Sequence, residues 1–249
     1  MTDRVTKPTR TPITTKVQRV SRVSPHVVRL VLAGEGLRGF PVGAFTDHYV
    51  KLLFPPVTRT FTVRDFETES STLTIDFVVH GDSGIAGPWA ARAQPGDEIA
   101  LLGPGGGYAP KHAADWHLLV GDASALPAIA VALQRIPAER AAHVFIEVDS
   151  ADEQQPLPSD ADTHIHWVCR TSSELVDSVR AFEFPPGVPD TFVHGEAGAV
   201  RSLRRHLLVD RGLPQEALSA SGYWKRGRTD EGWRADKSEW KRQVALEER

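Results

Sequence analysis

The feature that most constrains the fold is a change in the character of the apolar segments near residue 110. Before this point the segments are short, rich in valine, threonine and phenylalanine, and separated by glycine and proline. After it they run continuously, as in 116–120, and helical patterns such as 128–135 separate them. Short strands are typical of an antiparallel barrel, whereas buried strands alternating with helices are typical of a parallel sheet. We therefore predict a boundary near Lys111.

The predicted fold is an N-terminal antiparallel β-barrel, followed by an α/β domain with a parallel sheet and a C-terminal tail helix. The barrel is predicted over 13–110, with strands at 16–20, 27–32, 49–54, 59–64, 72–79 and 98–102 and a helix at 86–93. The α/β domain is predicted over 111–228, with strands at 116–120, 143–148, 163–168 and 190–195 and helices at 128–135, 173–181 and 199–210.

The two ends of the chain differ from these domains. Residues 1–12 place cations among threonine and proline without an apolar core, which predicts a disordered leader and not a signal peptide. From Ser221 we expect an exposed loop, followed over 229–249 by an amphipathic helical tail. Trp233 and Trp240 lie at helical spacing on one side of it, so we expect the tail to dock through its tryptophans.

Composition excludes several classes of protein. The 249 residues carry a net charge of −3, so no global basic field favours nucleic acid or a membrane surface as a partner. No apolar run approaches the length of a membrane span. The only cysteine is Cys169, which excludes an internal disulfide and a four-cysteine metal site. We expect a cytoplasmic monomer without a resident metal.

The segment 59–64 carries the chemistry of a phosphate and ring site. Cationic or hydroxyl side chains alternate with apolar ones, and we expect the polar side chains to share one face of a strand. Arginine is well shaped for bidentate phosphate contact, the hydroxyl of Thr62 can bond a ring nitrogen, and Phe61 can lie against a ring. The alternative is an ordinary barrel strand with exposed polar residues and one core phenylalanine.

Two glycine-containing turns strengthen the first interpretation. Residues 80–89 join a strand end to a helix start that has Pro88 near its first turn, and free backbone N–H groups at a helix start favour anions. The alternative is a plain connection. Residues 121–128 follow the first strand of the second domain, where ligands bind in open α/β sheets, although the common dinucleotide fingerprint is absent.

Taken together, these segments resemble the siderophore-interacting protein family, the flavin-dependent ferric-siderophore reductases of the ferredoxin–NADP reductase superfamily. The resemblance extends from about residue 13 to about residue 230. It rests on segments 51–55, 59–64, 76–81, 87–90, 95–97, 121–129, 195–196 and 222–227.

The resemblance implies that the barrel binds FAD and that the second domain binds NADH or NADPH. Arg59 would contact the diphosphate, Phe61 would lie at the flavin, and Thr62 would lie near its ring nitrogens. The full set of implied FAD residues is Arg59, Thr60, Phe61, Thr62, Asp76, Val78, His80, Ile85, Ala86, Gly87 and Trp89. The residues implied along the path of the nicotinamide donor are Gly121, Asp122, Ser124 and Glu196.

The implied substrate is an anionic ferric siderophore, and the family places cations around it. The corresponding cations are Lys51, Lys225, Arg226 and Arg228, which would raise the local concentration of the chelate. The alternative is a solvated loop with ordinary surface charge.

The implied activity is that of an FAD-dependent oxidoreductase. Electrons pass from a nicotinamide cofactor, or from a small carrier such as ferredoxin, through FAD to Fe(III), and reduction loosens iron from hard oxygen ligands. This chemistry needs no nucleophile or general acid, so we predict no catalytic side chain and no metal ligand.

Two alternatives stay open, and two departures from the family make the second of them conceivable. Phe61 stands where the family usually has tyrosine, and Ala123 stands where it often has a carboxylate. The chain could be a general NAD(P)H–flavin or ferredoxin-type reductase, or a siderophore-binding module that has lost its flavin.

Overall fold

The computed structural model describes residues 11–79, 81–82, 84–170 and 174–247. These residues fall into two compact units. The first contains the residues up to 109 together with 130–135 and 152–157, and the second contains the rest. Among the described helices, none has both the length and the apolar character needed to cross a membrane.

The first unit is built on an antiparallel sheet that has seven strands within the described residues, in the order β4-β3-β7-β1-β2-β6-β5. The strands are β1 (Ile13–Ser24), β2 (Val27–Ala33), β3 (Tyr49–Phe54), β4 (Val57–Thr62), β5 (Asp65–Glu67), β6 (Thr72–Val78) and β7 (Glu98–Gly105), and one helix, α1 (Ala86–Arg92), follows β6. The edge strands β4 and β5 are consecutive in the chain. Between them the N–H of Arg64 donates to Thr74 O of β6 at 2.9 Å. The sheet thus closes on itself, and the predicted barrel is confirmed.

The faces of β4 differ from the sequence prediction. Arg59 lies opposite Leu52 and Phe61 lies opposite Val50, and both β3 partners are completely buried. Residues directly opposite each other share a face of the sheet, and successive residues of a strand alternate. Arg59 and Phe61 therefore point to the same side and the threonines of the strand point to the other. The expectation that the polar side chains share one face is wrong.

The second unit is built on a parallel sheet with the order β10-β9-β8-β11-β12 in the described part of the chain. Its strands are β8 (Trp116–Asp122), β9 (Ala141–Val148), β10 (Asp162–Cys169), β11 (Pro189–Glu196) and β12 (Leu218–Trp224). Helices α2 (Leu126–Leu133), α3 (Glu174–Ala181) and α4 (Ala197–Arg205) follow β8, β10 and β11, and a π-helical turn, His206–Asp210, continues α4. The predicted α/β parallel sheet is confirmed. Because β9 and β11 lie on opposite sides of β8, the strand order reverses between β8 and β11.

The loop predicted from Ser221 is wrong over residues 221–224, because β12 runs through them and pairs with β11. Residues 225–229 do lie outside the strand and the helix. Four of the seven residues of β12 are serine, alanine or glycine and none is β-branched. Its two aromatic residues, Tyr223 and Trp224, stand only at its end, so the strand signal in the sequence is weak. Tertiary packing stabilises this segment as a strand instead. A Cβ at Gly222 would lie 3.0 Å from both Ala197 Cβ and Trp233 Cζ2, so the glycine permits the close approach of the neighbouring helices.

The tail forms α5 (Asp230–Leu246), and Thr229 caps its first turn. Trp233, Trp240 and Val244 are buried in the apolar cluster of the second unit. The two indole rings meet edge to face, with 5.5 Å between their centroids. Docking through the tryptophans is thus confirmed, and the tail is part of the core of the second unit.

A buried histidine joins β11 to β12. The Nδ1 of His194 lies 2.9 Å from the hydroxyl of Tyr223, and its Nε2 lies 3.0 Å from the hydroxyl of Ser219. Burial, with a smaller contribution from the positive charge of Lys237, lowers the pKa of His194 to about 3. The ring is therefore neutral at physiological pH and uses both nitrogens to bridge side chains of the neighbouring strand.

We predict that Trp240→Ala lowers the free energy of unfolding by about 3–5 kcal/mol, since it removes a large side chain from a packed core. Leu246, which is 61% exposed on the same helix, provides the control. Leu246→Ala should change stability by about 0.5 kcal/mol or less. Urea denaturation measures both, and equal effects of the two variants would contradict the buried position of Trp240.

We predict that His194 makes the protein less stable as the pH falls below about 6.5, where a histidine in the unfolded chain becomes protonated. The folded chain keeps this ring neutral, so unfolding takes up a proton that folding excludes. The free energy of unfolding therefore falls by about 1.4 kcal/mol for each pH unit, until the pH reaches the pKa of His194 in the folded chain. His194→Gln retains hydrogen-bonding groups but does not titrate. Urea denaturation at several pH values should show the wild type losing stability relative to this variant, and parallel pH curves would refute the assignment.

Candidate functional site

A row of aromatic rings lies beside β4 in the first unit. The centroid of Phe61 is 4.4 Å from that of Phe77, Phe77 is 5.8 Å from Trp89, and Trp89 is 5.6 Å from Phe54. Phe61 and Trp89 are half-buried, so part of each ring remains accessible. The row places two of the predicted cofactor residues in one aromatic surface, and such a surface favours a planar ring.

The polar groups of β4 are distributed over both sides of the strand. Arg59 is half-buried, shares its side with Phe61, and donates to the carbonyl of Thr58 at 3.0 Å. On the other side, Thr60 is exposed and Thr62 is half-buried. As β4 is an edge strand of the sheet, a guanidinium, an aromatic ring and two hydroxyl groups lie along one edge of the barrel.

Tyr49 is a candidate that the sequence analysis missed. It lies directly opposite Thr62 in the β3–β4 pair, and burial, with a contribution from Asp47, raises the pKa of its hydroxyl. The hydroxyl therefore stays protonated and can donate. A side chain at Gly105 would overlap the Tyr49 ring, so the position of this ring depends on a glycine almost sixty residues away. No local sequence signal links the two.

Asp76, a predicted cofactor residue, forms an ion pair on the face of the sheet that points away from the barrel core. Arg29 donates from Nε to Oδ1 at 2.6 Å and from Nη2 to Oδ2 at 2.7 Å, and the bond to Asp76 raises the pKa of Arg29. Burial first, and then the charge of Arg29, lower the pKa of the nearby Arg64. Asp76 thus balances the charge of two arginines on this face of the sheet.

The start of α1 lies against the end of β6. A Cβ at Gly87 would lie 3.3 Å from the carbonyl oxygen of Val78, so these two predicted residues are close together. Ala86 is buried, and Ile85 exposes 43% of its apolar side chain. His80, which was also predicted here, lies outside the described residues.

These side chains fit an FAD. The cofactor carries a diphosphate, polyol hydroxyls and a planar heteroaromatic ring. Arg59 supplies a cation suited to phosphate, Thr60 and Thr62 supply hydroxyls, and Phe61 with its aromatic neighbours supplies a ring surface. All of them lie on the edge strand β4 or next to it, so one element carries the main donors.

The second unit contains a crevice between β8 and β11, where the strand order reverses. Ligands of open α/β sheets bind at such a point. A cavity of about 400 Å³ lies there, between the carboxyl ends of the strands and helices α3 and α4. Its polar lining includes Asp122, Glu147, Asp177, Arg180, His194, Glu196 and Arg226.

The structure brings the predicted nicotinamide residues together at this crevice. Gly121, Asp122 and Glu196 line it, and the N–H of Ser124 donates to Asp122 Oδ1 at 2.9 Å. A Cβ at Gly121 would lie 2.6 Å from the Cβ of Ala125 and 2.9 Å from a β11 carbonyl. Glycine is therefore required for β8 to approach both the start of α2 and β11.

Three of the four predicted substrate cations lie in the segment that follows β12, residues 225–228, which we call the cationic turn. The N–H of Arg228 donates to Lys225 O at 3.1 Å, and Gly227 adopts a φ of 75°. Arg228 also pairs with Asp236 of α5 at 3.2 Å, which partly neutralises it. Lys51 lies in the first unit, on β3, opposite Thr60.

Comparisons with known proteins cover most of the chain. The model of the siderophore-interacting protein family matches residues 114–227, and that of the siderophore-interacting FAD-binding domain matches 16–57 and 55–108. An uncharacterised protein of Mycobacterium tuberculosis is 39% identical over 92% of this chain and 94% of its own length.

Two further relatives have names or structures that bear on activity. Ferric vibriobactin reductase of Vibrio cholerae is 32% identical over 88% of this chain and 91% of its own length. The crystal structure of a siderophore utilization protein from T. fusca is 36% identical, covers 88% of this chain and 95% of its own, and superimposes with a TM-score of 0.81. On these matches, the chain belongs to the siderophore-interacting protein family.

Proposed function

We propose that this protein is an FAD-dependent reductase of ferric siderophores that draws electrons from NADH or NADPH. The observation that carries the proposal is the composition of β4, whose guanidinium, hydroxyls and aromatic ring lie in the region that matches the FAD-binding domain model. The likeness over most of its length to a protein named as a ferric vibriobactin reductase supports the substrate class.

We assign the FAD to residues of the first unit. Arg59 offers its charge to the diphosphate, Phe61 offers a ring surface, and the hydroxyls of Thr60 and Thr62 offer hydrogen bonds. The start of α1, from Ile85 to Trp89, and the neighbouring Val78 complete the site. These residues would hold an FAD, whose chemistry would be two-electron reduction by a nicotinamide cofactor and one-electron delivery to each of two Fe(III) complexes.

We assign the nicotinamide donor to the crevice between β8 and β11. Gly121 lines the crevice, and Ser124 lies in the turn that follows, before the start of α2. The position of the crevice supports this assignment. It lies where the strand order reverses, and ligands of open α/β sheets commonly bind at such a point.

The chain's own cations act on the chelate rather than on the iron. Lys51 in the first unit, and Lys225 and Arg226 in the cationic turn of the second, each attract an anionic complex. Arg228 contributes less because it pairs with Asp236. The siderophore already supplies hard oxygen ligands that suit Fe(III) better than Fe(II). Electron transfer therefore needs only a docked chelate, and reduction releases the iron.

Several finer points complete the proposal. Residues 13–110 form the FAD-binding domain, 111–228 the nicotinamide-binding domain, and 229–249 a helical tail. The protein works as a monomer in the cytoplasm, a compartment that suits a chain with one cysteine. A reduced ferredoxin is the alternative electron donor.

We predict that Lys51→Ala combined with Lys225→Ala raises the KM for an anionic ferric catecholate by about 3- to 10-fold, since each of these half-buried, solvent-screened charges contributes about 1 kcal/mol or less. Steady-state kinetics with NADH or NADPH measure this. Ferricyanide is the second acceptor, and its reduction should change little because it needs no siderophore pocket.

The matched control is Lys16→Ala combined with Lys241→Ala, which removes the same charge from exposed positions, one in each unit. It should leave the KM for both acceptors unchanged. If the Lys51 and Lys225 double variant loses activity equally with both acceptors, the alternative of a general flavin reductase is favoured.

We predict that Phe61→Tyr tightens FAD binding by about 5-fold, because one added neutral hydrogen bond contributes about 1 kcal/mol. Fluorescence titration of the FAD-free protein measures the Kd. Phe66→Tyr makes the same chemical change on β5 and should leave the Kd unaltered. A wild-type protein that is colourless and takes up no added FAD would remove the reductase proposal and favour a flavin-free binding module.

A further inference from the structure

The carboxylate of Asp122 has its hydrogen-bonding capacity filled by the protein. Oδ1 accepts the backbone N–H and the hydroxyl of Ser124. Oδ2 accepts the backbone N–H of Glu196 and the indole N–H of Trp224, both at 2.8 Å. A carboxylate offers about four acceptor positions, and Asp122 is only 3% exposed. It therefore has little capacity left to bind a ribose hydroxyl.

The carboxylate of Glu196 is engaged in a similar way. Its Oε2 accepts the N–H of Ala199 at 2.9 Å and caps the first turn of α4. Its Oε1 accepts the N–H of Arg226 at 3.1 Å. One side chain thus holds both a helix start and the middle of the cationic turn.

The indole of Trp224 is held from a second direction. The guanidinium carbon of Arg170 lies 5.9 Å from the centroid of the ring, a distance at which a cation and an aromatic face attract each other. Arg170 is itself fixed by Glu147 and Asp149, each at 2.8 Å. Trp224 immediately precedes the cationic turn, so the turn starts from an anchored residue.

We propose that Asp122 and Glu196 are positioning residues that hold the cationic turn in shape for an anionic chelate, and are not ligands of the nicotinamide cofactor. The inference rests on the proposed function, in which the turn contacts the ferric siderophore. A segment that is ordered before binding loses less conformational freedom when the ligand arrives. The affinity for the chelate should then depend on hydrogen bonds at the base of the turn.

The first test is Trp224→Phe, which removes the indole N–H and retains an aromatic ring beside Arg170. We expect the KM for the tris-catecholate complex of Fe(III) to rise by about 3- to 10-fold. This is less than the full effect of losing a hydrogen bond to a charged group, because Glu196 still holds the turn. The KM values for NADH and NADPH should stay at the wild-type level. The control is Trp167→Phe, at a half-buried tryptophan on the edge strand β10. It should change neither the KM for the ferric complex nor the KM values for NADH and NADPH.

The second test follows the contacts themselves. Hydrogen exchange by NMR of the Trp224 indole N–H and the Arg226 backbone N–H should be slow in the wild type. In Asp122→Asn the indole N–H should exchange faster, because the amide has one acceptor oxygen instead of two. The Arg226 N–H, which Glu196 Oε1 accepts, should also exchange faster because the base of the turn has lost an anchor. If the wild type fails to reduce the ferric complex, only the proposed function is overturned. The exchange rates still show whether Asp122 has the positioning role.

The opposite pattern would overturn the inference. If Trp224→Phe left the KM for the ferric complex unchanged, or if it raised the KM for NADH or NADPH instead, the turn would not depend on this anchor. Unaltered exchange of both N–H groups in Asp122→Asn would contradict it in the same way. If Asp122→Asn does not fold, the kinetics of Trp224→Phe decide.

Discussion

The arrangement of the second unit depends on one buried carboxylate. Asp122 ends β8, and its four hydrogen bonds reach the following turn, the end of β11 and the last residue of β12. The carboxyl ends of three parallel strands are thus fixed relative to one another at the point where the strand order reverses. The crevice and the cationic turn are both built on this junction, so one side chain links the two parts of the unit that we assign to donor and chelate.

The barrel uses charge in a related way. The bidentate pair of Asp76 with Arg29 balances positive charge beside β6, close to Arg64. Arg59 lies on the edge strand β4, where it shares a side with Phe61. In both units a buried carboxylate is engaged by the protein, while the cations proposed to meet phosphate or chelate lie on strands β3 and β4 or in the cationic turn. This division suits a protein that binds anions and transfers electrons without protein ligands to iron.

The sequence predicted the elements whose residues carry their own signal. Strand β3 was predicted with its observed bounds, Tyr49–Phe54, because a buried apolar run ends in two prolines. Strand β12 was missed, because its small residues become a strand only through contacts with α4 and α5. The side of β4 on which Arg59 lies was misjudged, although the two-residue period of a strand fixes it.

The site shows the same limit. The residue types along β4 indicated a phosphate and ring site because neighbouring residues carry the signal. The partner of Asp122 could not be predicted, since Trp224 is 102 positions away and the contact exists only after β12 has paired with β11. The pairing of Tyr49 with Gly105 is hidden for the same reason. Roles that depend on long-range packing therefore appeared only in the structure.

Anaerobic transfer of electrons through the flavin tests the proposed activity most directly. The FAD-loaded protein would be reduced with NADH or NADPH and then mixed with a ferric catecholate in the presence of a chelator that reports Fe(II). The proposal predicts that the absorbance of oxidised flavin returns and that Fe(II) appears in proportion. A flavin that stays reduced in the presence of the ferric complex would contradict it.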